Sequence, residues 1–227
     1  MRWMLTVVMM LLPAFAAAQE APALKTEKDK LSYAMGMDLG NQLKTRAVDV
    51  DPAIFGRGLA DALAGSKTLL TADEAKAIIT ELQKAMLVKQ AAEAKVVGDK
   101  NKAEGDAFLA ANKAKEGVVA LPSGVQYKVL TAGTGKMPTA EDTVICQYRG
   151  TLIDGKEFDS SYKRGQPATF PVKGVIKGWT EVLQLMPVGS KWQVFIPPNL
   201  AYAERGSGAM IGPNATLIFE IELVAIK

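Results

Sequence analysis

The sequence contains no histidine and only one cysteine among its 227 residues, and these shortages exclude several kinds of active site. Histidine is the commonest general base and metal ligand near neutral pH, so histidine-based triads and histidine-ligated metals are excluded. The single cysteine, Cys146, permits no internal disulfide, no CxxC redox pair and no cysteine-rich metal site. Cys146 alternates with Val144 and Tyr148 in a strand-like stretch, which is typical of an inert buried thiol.

The chain also lacks a strong excess of charge of either sign. Its formal net charge is +3, and basic and acidic residues are interspersed along it. A protein that binds nucleic acid needs a basic face, so we expect no nucleic-acid partner. With 48% apolar and 22% charged residues the chain can form a packed core, and its length suits one large or two ordinary domains.

The apolar run at the N-terminus, residues 5–12, is shorter than the roughly 20 residues that a membrane span requires. Arg2 precedes it, and Ala16 and Ala18 provide small residues before Gln19. This pattern predicts a signal peptide over residues 1–18, with an uncleaved membrane anchor as the alternative. The mature chain is then exported without a membrane span, to the periplasm or as a secreted or cell-surface-associated protein. No cysteine lies near the cleavage site, so lipid attachment there is excluded.

The sequence predicts a helical domain over residues 19–70, in which Asp51-Pro52 is a helix start signal. Apolar residues recur at intervals of four in two predicted helices: Leu31, Met35, Leu39 and Leu43, then Phe55, Leu59 and Leu63. Helices of this size alone give a thin core. The apolar stripes therefore favour a homodimer formed through the N-terminal helices over the alternative, a monomeric helical cap.

A long connecting helix is predicted over residues 71–115, beginning at the capping box Thr71-Ala72-Asp73-Glu74. Beyond Val88 alanine, lysine and glutamate dominate, which indicates a solvated spacer arm that buries little of itself. Gly98 and Gly105 each cost about 1 kcal/mol relative to alanine, so the sequence predicts a bend or fraying there.

Residues 116–227 change to strand-like patterns. β-Branched and aromatic residues alternate around Tyr127 and over residues 143–152, 191–196 and 216–226, with one short helix between Ile176 and Met186. Asp154-Gly155 predicts a hairpin turn that delivers Phe158 and Asp159. An antiparallel sheet wrapped over one short helix is an α+β fold.

Four collinear stretches in this half carry a family resemblance: VICQYRGTLIDGKEFDSS, VIKGWTEVLQLMPVGSKWQVFIP, LAYAERG and IGPNATLIFEIELVAI. Together they resemble the FKBP-type peptidyl-prolyl cis/trans isomerases. The stretch SYAMGMDLGNQL and the helix after it look like the dimerisation region of the bacterial Mip/FkpA-like (macrophage infectivity potentiator-like) subgroup. The resemblance implies an FKBP-like domain over residues 116–227, preceded by an all-α dimerisation domain and the connecting helix.

The resemblance also implies a pocket. Four residues carry the catalytic roles it implies: Asp159, Tyr202, Ile176 through its backbone N–H, and Trp179 as the floor. Six residues form the substrate-binding walls: Tyr148, Phe158, Phe170, Val175, Ile211 and Phe219. Each aromatic residue, considered alone, could equally be an ordinary core residue, and the Asp159 side chain could cap a turn. It is the collinear set that favours a site.

Three positions depart from the family pattern. Ala168 stands where a large aromatic is usual, so one wall of the pocket is expected to be open and macrolide inhibitors to bind more weakly. Ala203 replaces a usual glycine, which leaves the conformation of that turn open. Met210 replaces an aliphatic residue, a change that a flexible side chain can absorb.

The function implied is peptidyl-prolyl isomerisation that assists the folding of exported proteins, with no cofactor and no metal. The X-Pro amide rotates over a barrier of roughly 20 kcal/mol, and a water-excluding pocket favours its less polar twisted form. Expected partners are proline-containing unfolded or partly folded polypeptides and macrolide inhibitors. Two alternatives remain: a holdase chaperone in which client binding by the helical dimer cleft dominates, and a binding module that has lost turnover. Retention of Asp159, Trp179, Tyr202 and Phe219 argues against the second.

Overall fold

The computed structural model describes residues 24–227, which form two compact units. The first ends at Glu74 and the second comprises Ala75–Lys227. The predicted signal peptide lies outside the described residues. Within residues 24–227 no helix combines the length and the hydropathy needed to cross a membrane. The domain boundaries drawn from the sequence remain a prediction.

The first unit contains two helices whose start signals lie in the sequence. Helix α1 spans Glu27–Thr45, and Thr26 and Asp29 cap each other's backbone at its start. Helix α2 spans Pro52–Ala64, begins at the Asp51 cap and ends at Gly65 with φ 62°. No residue of α1 or α2 is buried. The apolar stripes of both helices are therefore uncovered in the single chain.

Helix α3 runs without interruption over Ala72–Asn112, so the predicted fraying at Gly98 and Gly105 is wrong. The prediction of an arm that buries little of itself is also wrong for the last third of the helix. Gly98, Gly105 and Asn112 are buried, at a spacing of seven residues that places them on one helix face. Packing of this face within the second unit, against residues 213–216, offsets the low helix propensity of the two glycines.

The second unit confirms the predicted α+β fold. Seven antiparallel strands are arranged in the order β1-β2-β6-β7-β3-β4, and β5 pairs with another part of β3. Their bounds are β1 Val118–Ala120, β2 Gln126–Thr131, β3 Thr143–Leu152, β4 Glu157–Ser160, β5 Ala168–Pro171, β6 Lys191–Ile196 and β7 Leu217–Ile226. The short helix α4, Lys177–Leu183, buries Trp179, Val182 and Leu183 in the core of this unit.

The β3–β4 hairpin forms at the predicted turn. Gly155 has φ 85°, a conformation that glycine adopts without strain, and Asp154 Oδ1 accepts the N–H of Lys156 at 2.9 Å. A side chain at Gly150 would lie 2.6 Å from the Phe158 ring, so the absence of a Cβ lets that ring pack over the strand. The hairpin thereby fixes the position of Phe158 next to the pocket.

Cys146 is fully buried in β3, as predicted. Burial raises the pKa of its thiol to about 12, so the thiol stays protonated and unreactive at neutral pH.

Candidate functional site

A cavity of about 850 Å³ opens where the β3–β4 hairpin, α4 and the loops before β7 meet. All ten residues assigned to the site from the sequence line it: Tyr148, Phe158, Asp159, Phe170, Val175, Ile176, Trp179, Tyr202, Ile211 and Phe219. The structure thus gathers in one cavity residues that span 72 positions of the chain, from 148 to 219. The roles of the individual residues remain predictions.

Trp179 lies at the centre of an aromatic cluster and is 3% exposed. Its ring packs edge-to-face against Tyr148 at 5.3 Å, Phe170 at 5.6 Å and Phe219 at 5.3 Å between ring centroids. Phe158 extends the cluster through Phe219 at 5.5 Å. Edge-to-face contacts hold rings in defined orientations, so the cavity has a rigid apolar base. Trp179, Tyr148 and Phe219 are therefore both core residues and lining residues.

Asp159 is held by a hydrogen-bonded group that the sequence revealed only in part. Its carboxylate accepts hydrogen bonds from the Tyr148 hydroxyl and from Arg164 Nη1, and its Oδ1 also accepts the N–H of Ser160 at 2.8 Å. Arg164 Nη2 donates to the Tyr148 hydroxyl at 2.6 Å, and the guanidinium lies 5.3 Å from the centroid of the Tyr148 ring. Asp159 is thus held in position within the pocket while it forms part of β4.

The environment sets the charge of this group. Partial burial of Asp159 acts to raise its pKa, but the hydrogen bonds from Tyr148 and Arg164 outweigh burial and hold that pKa below its ordinary value. Burial, and then the hydrogen bond to Asp159, raise the pKa of the Tyr148 hydroxyl. Hydrogen bonds to Tyr148 and Asp159 raise the pKa of Arg164. At neutral pH the group is one carboxylate, one guanidinium and one neutral phenol.

Sequence reasoning missed Arg164 and most of one pocket wall. Arg164 follows Asp159 by five residues in a turn rich in polar residues, and this proximity of opposite charges was the available signal. The missed wall is formed by consecutive residues. The sequence indicated Ile211 as a wall residue and Met210 as a departure from the family pattern, but not the three before them: Ser207, Gly208 and Ala209.

The remaining predicted positions differ in their surroundings. Ile176 is the N-cap of α4, and its carbonyl accepts the N–H groups of Trp179 and Thr180. Tyr202 is 37% exposed at the mouth of the cavity. Ala203 adopts φ 48°, the left-handed conformation for which glycine is the usual residue, so the turn is kept at a cost of about 1–2 kcal/mol in strain. Ala168 is half-buried against the core.

The lining is apolar and aromatic, with Asp159 as its charged member. Such a cavity can exclude water from a bound peptide while a fixed carboxylate acts on its polar atoms. The lining residues include no activated nucleophile. The cavity is therefore suited to a conformational change of a bound group without covalent catalysis.

Two family models match the chain. The model of the FKBP-type peptidyl-prolyl cis-trans isomerase matches residues 134–224. The model of the domain amino terminal to FKBP-type peptidyl-prolyl isomerase matches residues 28–129. The two matches together cover both units of the structure.

Several known proteins resemble the chain over most of its length. The outer membrane protein MIP of Legionella longbeachae is 51% identical, over 93% of this chain and 91% of that protein. The peptidyl-prolyl cis-trans isomerase Mip of Coxiella burnetii is 47% identical, over 92% and 91% respectively. The crystal structure of FkpA from Escherichia coli superposes with a TM-score of 0.67 at 36% identity, over 90% of this chain and 99% of that one.

Proposed function

Because the chain belongs to the FKBP-type peptidyl-prolyl cis-trans isomerase family, we propose that its aromatic cavity binds X-Pro segments and stabilises their twisted amide. The protein is a peptidyl-prolyl cis/trans isomerase. The observation that carries the assignment of this activity to the cavity is the convergence of all ten predicted residues on it.

The apolar base supplies the main stabilisation. The planar X-Pro amide is charge-separated and well solvated by water, whereas the twisted amide has lost resonance and is less polar at its carbonyl. A cavity that removes water therefore destabilises the planar form more than the twisted form. The proline ring lies against Trp179, with Tyr148 and Phe219 beside it. Only differences in stabilisation between the two forms increase the rate.

The polar groups orient the amide. The N–H of Ile176 donates to a substrate carbonyl, and the Tyr202 hydroxyl donates at the rim. Asp159 acts on the twisting carbonyl through its fixed negative charge. It does not act as a general base, because its lowered pKa makes it a weak base and because amide rotation transfers no proton.

In the cell, the enzyme acts on proline-containing unfolded or partly folded polypeptides after export to the periplasm or cell surface. It functions as a homodimer through its N-terminal helices, and macrolides inhibit it by occupying the cavity. The name of the Legionella relative, an outer membrane protein, supports an envelope location. The holdase alternative predicts that full-length protein suppresses aggregation of a large client even when Asp159 is replaced.

The first prediction concerns pH. Asp159 keeps its charge down to low pH, while Tyr148 and Arg164 keep their protons to high pH, so kcat/KM should be constant between about pH 6 and pH 9. The stabilising contribution of Asp159 is present above its unfolded-state pKa and is lost as pH falls through its lowered folded-state pKa. Peptide isomerisation across this range, with unfolding measured at each pH, tests the proposal. A midpoint between pH 6 and 8 would show that an ionisation controls catalysis and would contradict it.

The second prediction concerns assembly. Residues Leu31 and Met35 of α1 are 62% and 65% exposed, and no residue of α1 or α2 is buried, which supports the proposal that a second copy covers these helices. Light scattering of the chain from Gln19 should give twice the mass of one chain. Replacing Leu31 and Met35 by lysine should give the single-chain mass without loss of peptide isomerisation. Lys28→Ala, on the same helix, is the control that should remain dimeric, and a single-chain mass for the unaltered protein would refute the dimer.

A further inference from the structure

One wall of the cavity is formed by a loop that we name the wall loop, residues 206–214. Five consecutive residues of this loop, 207–211, line the cavity. The tip of the loop is closed on itself, because the N–H of Ser207 donates to the carbonyl of Ile211 at 2.8 Å and the N–H of Ile211 donates back at 3.1 Å. The tip therefore moves as a unit, and the attachment of its base decides where it lies.

The base of the wall loop is attached at three points. The N–H of Gly206 donates to the carbonyl of Tyr202 at 3.2 Å, and the N–H of Asn214 donates to the carbonyl of Ala203 at 2.8 Å. The third attachment comes from α3, where Asn101 Nδ2 donates to the carbonyl of Pro213 at 2.8 Å. Two attachments thus join the wall loop to the segment that carries Tyr202, and the third joins it to the helix.

Asn101 also packs closely against the wall loop. A Cβ added at Gly212 would lie 3.1 Å from Asn101 Nδ2 and 3.6 Å from Val97. The side chains of Asn101 and Val97 therefore lie close to the backbone of the wall loop at Gly212. A displacement of Asn101 toward the loop meets this contact, and a displacement away breaks the hydrogen bond to Pro213.

Two glycines let α3 come this close. A Cβ added at Gly98 would lie 3.2 Å from atoms of both Pro213 and Asn214, and one added at Gly105 would overlap Thr216 Oγ1. The end of the helix is fixed separately, because Asn112 Nδ2 donates to Gln126 Oε1 at 3.0 Å. The face of α3 that carries Asn101 is therefore anchored on both sides of that residue.

We propose that Asn101 is a positioning residue of the isomerase, which holds the wall loop, and through it residues 207–211, against the bound peptide. The proposal rests on the proposed function of the cavity. The wall loop contacts substrate through apolar and backbone surface, which binds planar and twisted amides alike. A displaced wall therefore weakens binding of both forms and raises KM, with kcat unchanged.

The test compares substitutions of two neighbouring residues of α3 in the full mature chain. Asn101→Asp keeps the size of the side chain and removes the donor to the Pro213 carbonyl. Lys102→Ala, whose side chain pairs with Asp106 on the exposed face, is the matched control. We expect Asn101→Asp to raise KM for X-Pro peptides about fivefold with kcat within about twofold, and the control to change neither. Amide hydrogen exchange of residues 207–214 should accelerate in Asn101→Asp alone.

A second pair of variants tests the packing of α3 at a different position, where Gly105 approaches Thr216. Gly105→Ala should push α3 away from Thr216 and raise KM in the same way. Thr216→Ala, combined with it, removes the overlapping Oγ1 and should restore KM. Because Thr216 Oγ1 is buried without a hydrogen-bond partner in the described chain, its loss removes no bond.

Three results would overturn the proposal. The first is an unchanged KM in Asn101→Asp, whatever the exchange rates. The second is an equal rise in KM for the Lys102→Ala control. The third is a fall in kcat with an unchanged KM. Should the unaltered chain show no isomerisation at all, the proposed function would fail, while hydrogen exchange of residues 207–214 would still report whether Asn101 holds the loop.

Discussion

Replacing Asp159 by alanine should lower kcat/KM for X-Pro peptides about 30-fold, which corresponds to about 2 kcal/mol of lost transition-state stabilisation. The fall should lie in kcat, because the carboxylate acts on the carbonyl only as the amide twists. The measurement is peptide isomerisation as a function of peptide concentration, with the unaltered chain in parallel.

The geometry around Asp159 explains why a carboxylate so near the surface should matter. Tyr148 and Arg164 both donate to it, so its position is set from two directions before substrate binds. A charge that is already oriented needs no reorganisation when the amide twists. Removing the carboxylate also leaves the guanidinium of Arg164 as an unbalanced positive charge beside the Tyr148 ring.

Two further substitutions make this prediction specific. Asp159→Asn keeps the shape and removes the charge, so it should lose most of the same activity. Glu157→Gln is the matched control on the same strand, because Glu157 pairs with Arg149 at 2.8 Å and Lys163 at 2.9 Å and does not line the cavity. It should change kcat/KM less than about twofold. Equal losses in Asp159→Asn and Glu157→Gln would refute a local role for the Asp159 charge.

Removing the end of α3 should destabilise the isomerase unit by about 3 kcal/mol of unfolding free energy. A chain that begins at Glu116 lacks Asn112 and Leu109, which together satisfy both ends of the buried Gln126 side chain, at 3.0 Å and 2.9 Å. It also lacks Phe108, whose ring packs on Phe195 at 5.9 Å between centroids. The measurement is urea unfolding of chains that begin at Lys95 and at Glu116, followed by tryptophan fluorescence.

The matched control for the truncation is a chain that begins at Ala75. No residue of α3 before Gly98 is buried, so this chain should unfold within about 0.5 kcal/mol of the one that begins at Lys95. The chain from Glu116 should still isomerise short X-Pro peptides where it is folded, because the ten predicted residues all lie beyond residue 116. Equal unfolding midpoints for the chains from Lys95 and Glu116 would show that α3 is only a spacer.

Features that depend on neighbouring residues were predictable from the sequence. The caps at Asp51 and Thr71 and the Gly155 turn act within a few residues, so their patterns gave the helix starts and the hairpin correctly. The positions of the pocket residues followed from the family resemblance, since the collinear motifs carry the order of strands and loops with them.

Features that depend on distant contacts were not predictable in this way. Helix propensity predicted a bend or fraying at Gly98 and Gly105. The helix does not fray, because propensity differences of about 1 kcal/mol are small beside the packing of a helix face. The sequence alone indicated that the two glycines weaken the helix. The residues that they approach in the folded chain lie more than 100 positions away: Pro213, Asn214 and Thr216. Arg164 was missed for a related reason, since it lies in a turn and its partner Tyr148 lies 16 positions earlier, on β3.

The sequence by itself determined the class of chemistry: the lack of histidine and the single cysteine excluded several kinds of site, and the collinear motifs, through their family resemblance, indicated catalysis by an apolar pocket. The tertiary structure decided which groups hold that pocket in shape. Only the folded chain brings Asn101 to Pro213, across 112 positions, and Arg164 to Asp159 and Tyr148. Local patterns record the preferences of neighbouring residues, whereas such contacts exist only once the helix, the sheet and the loops are packed together.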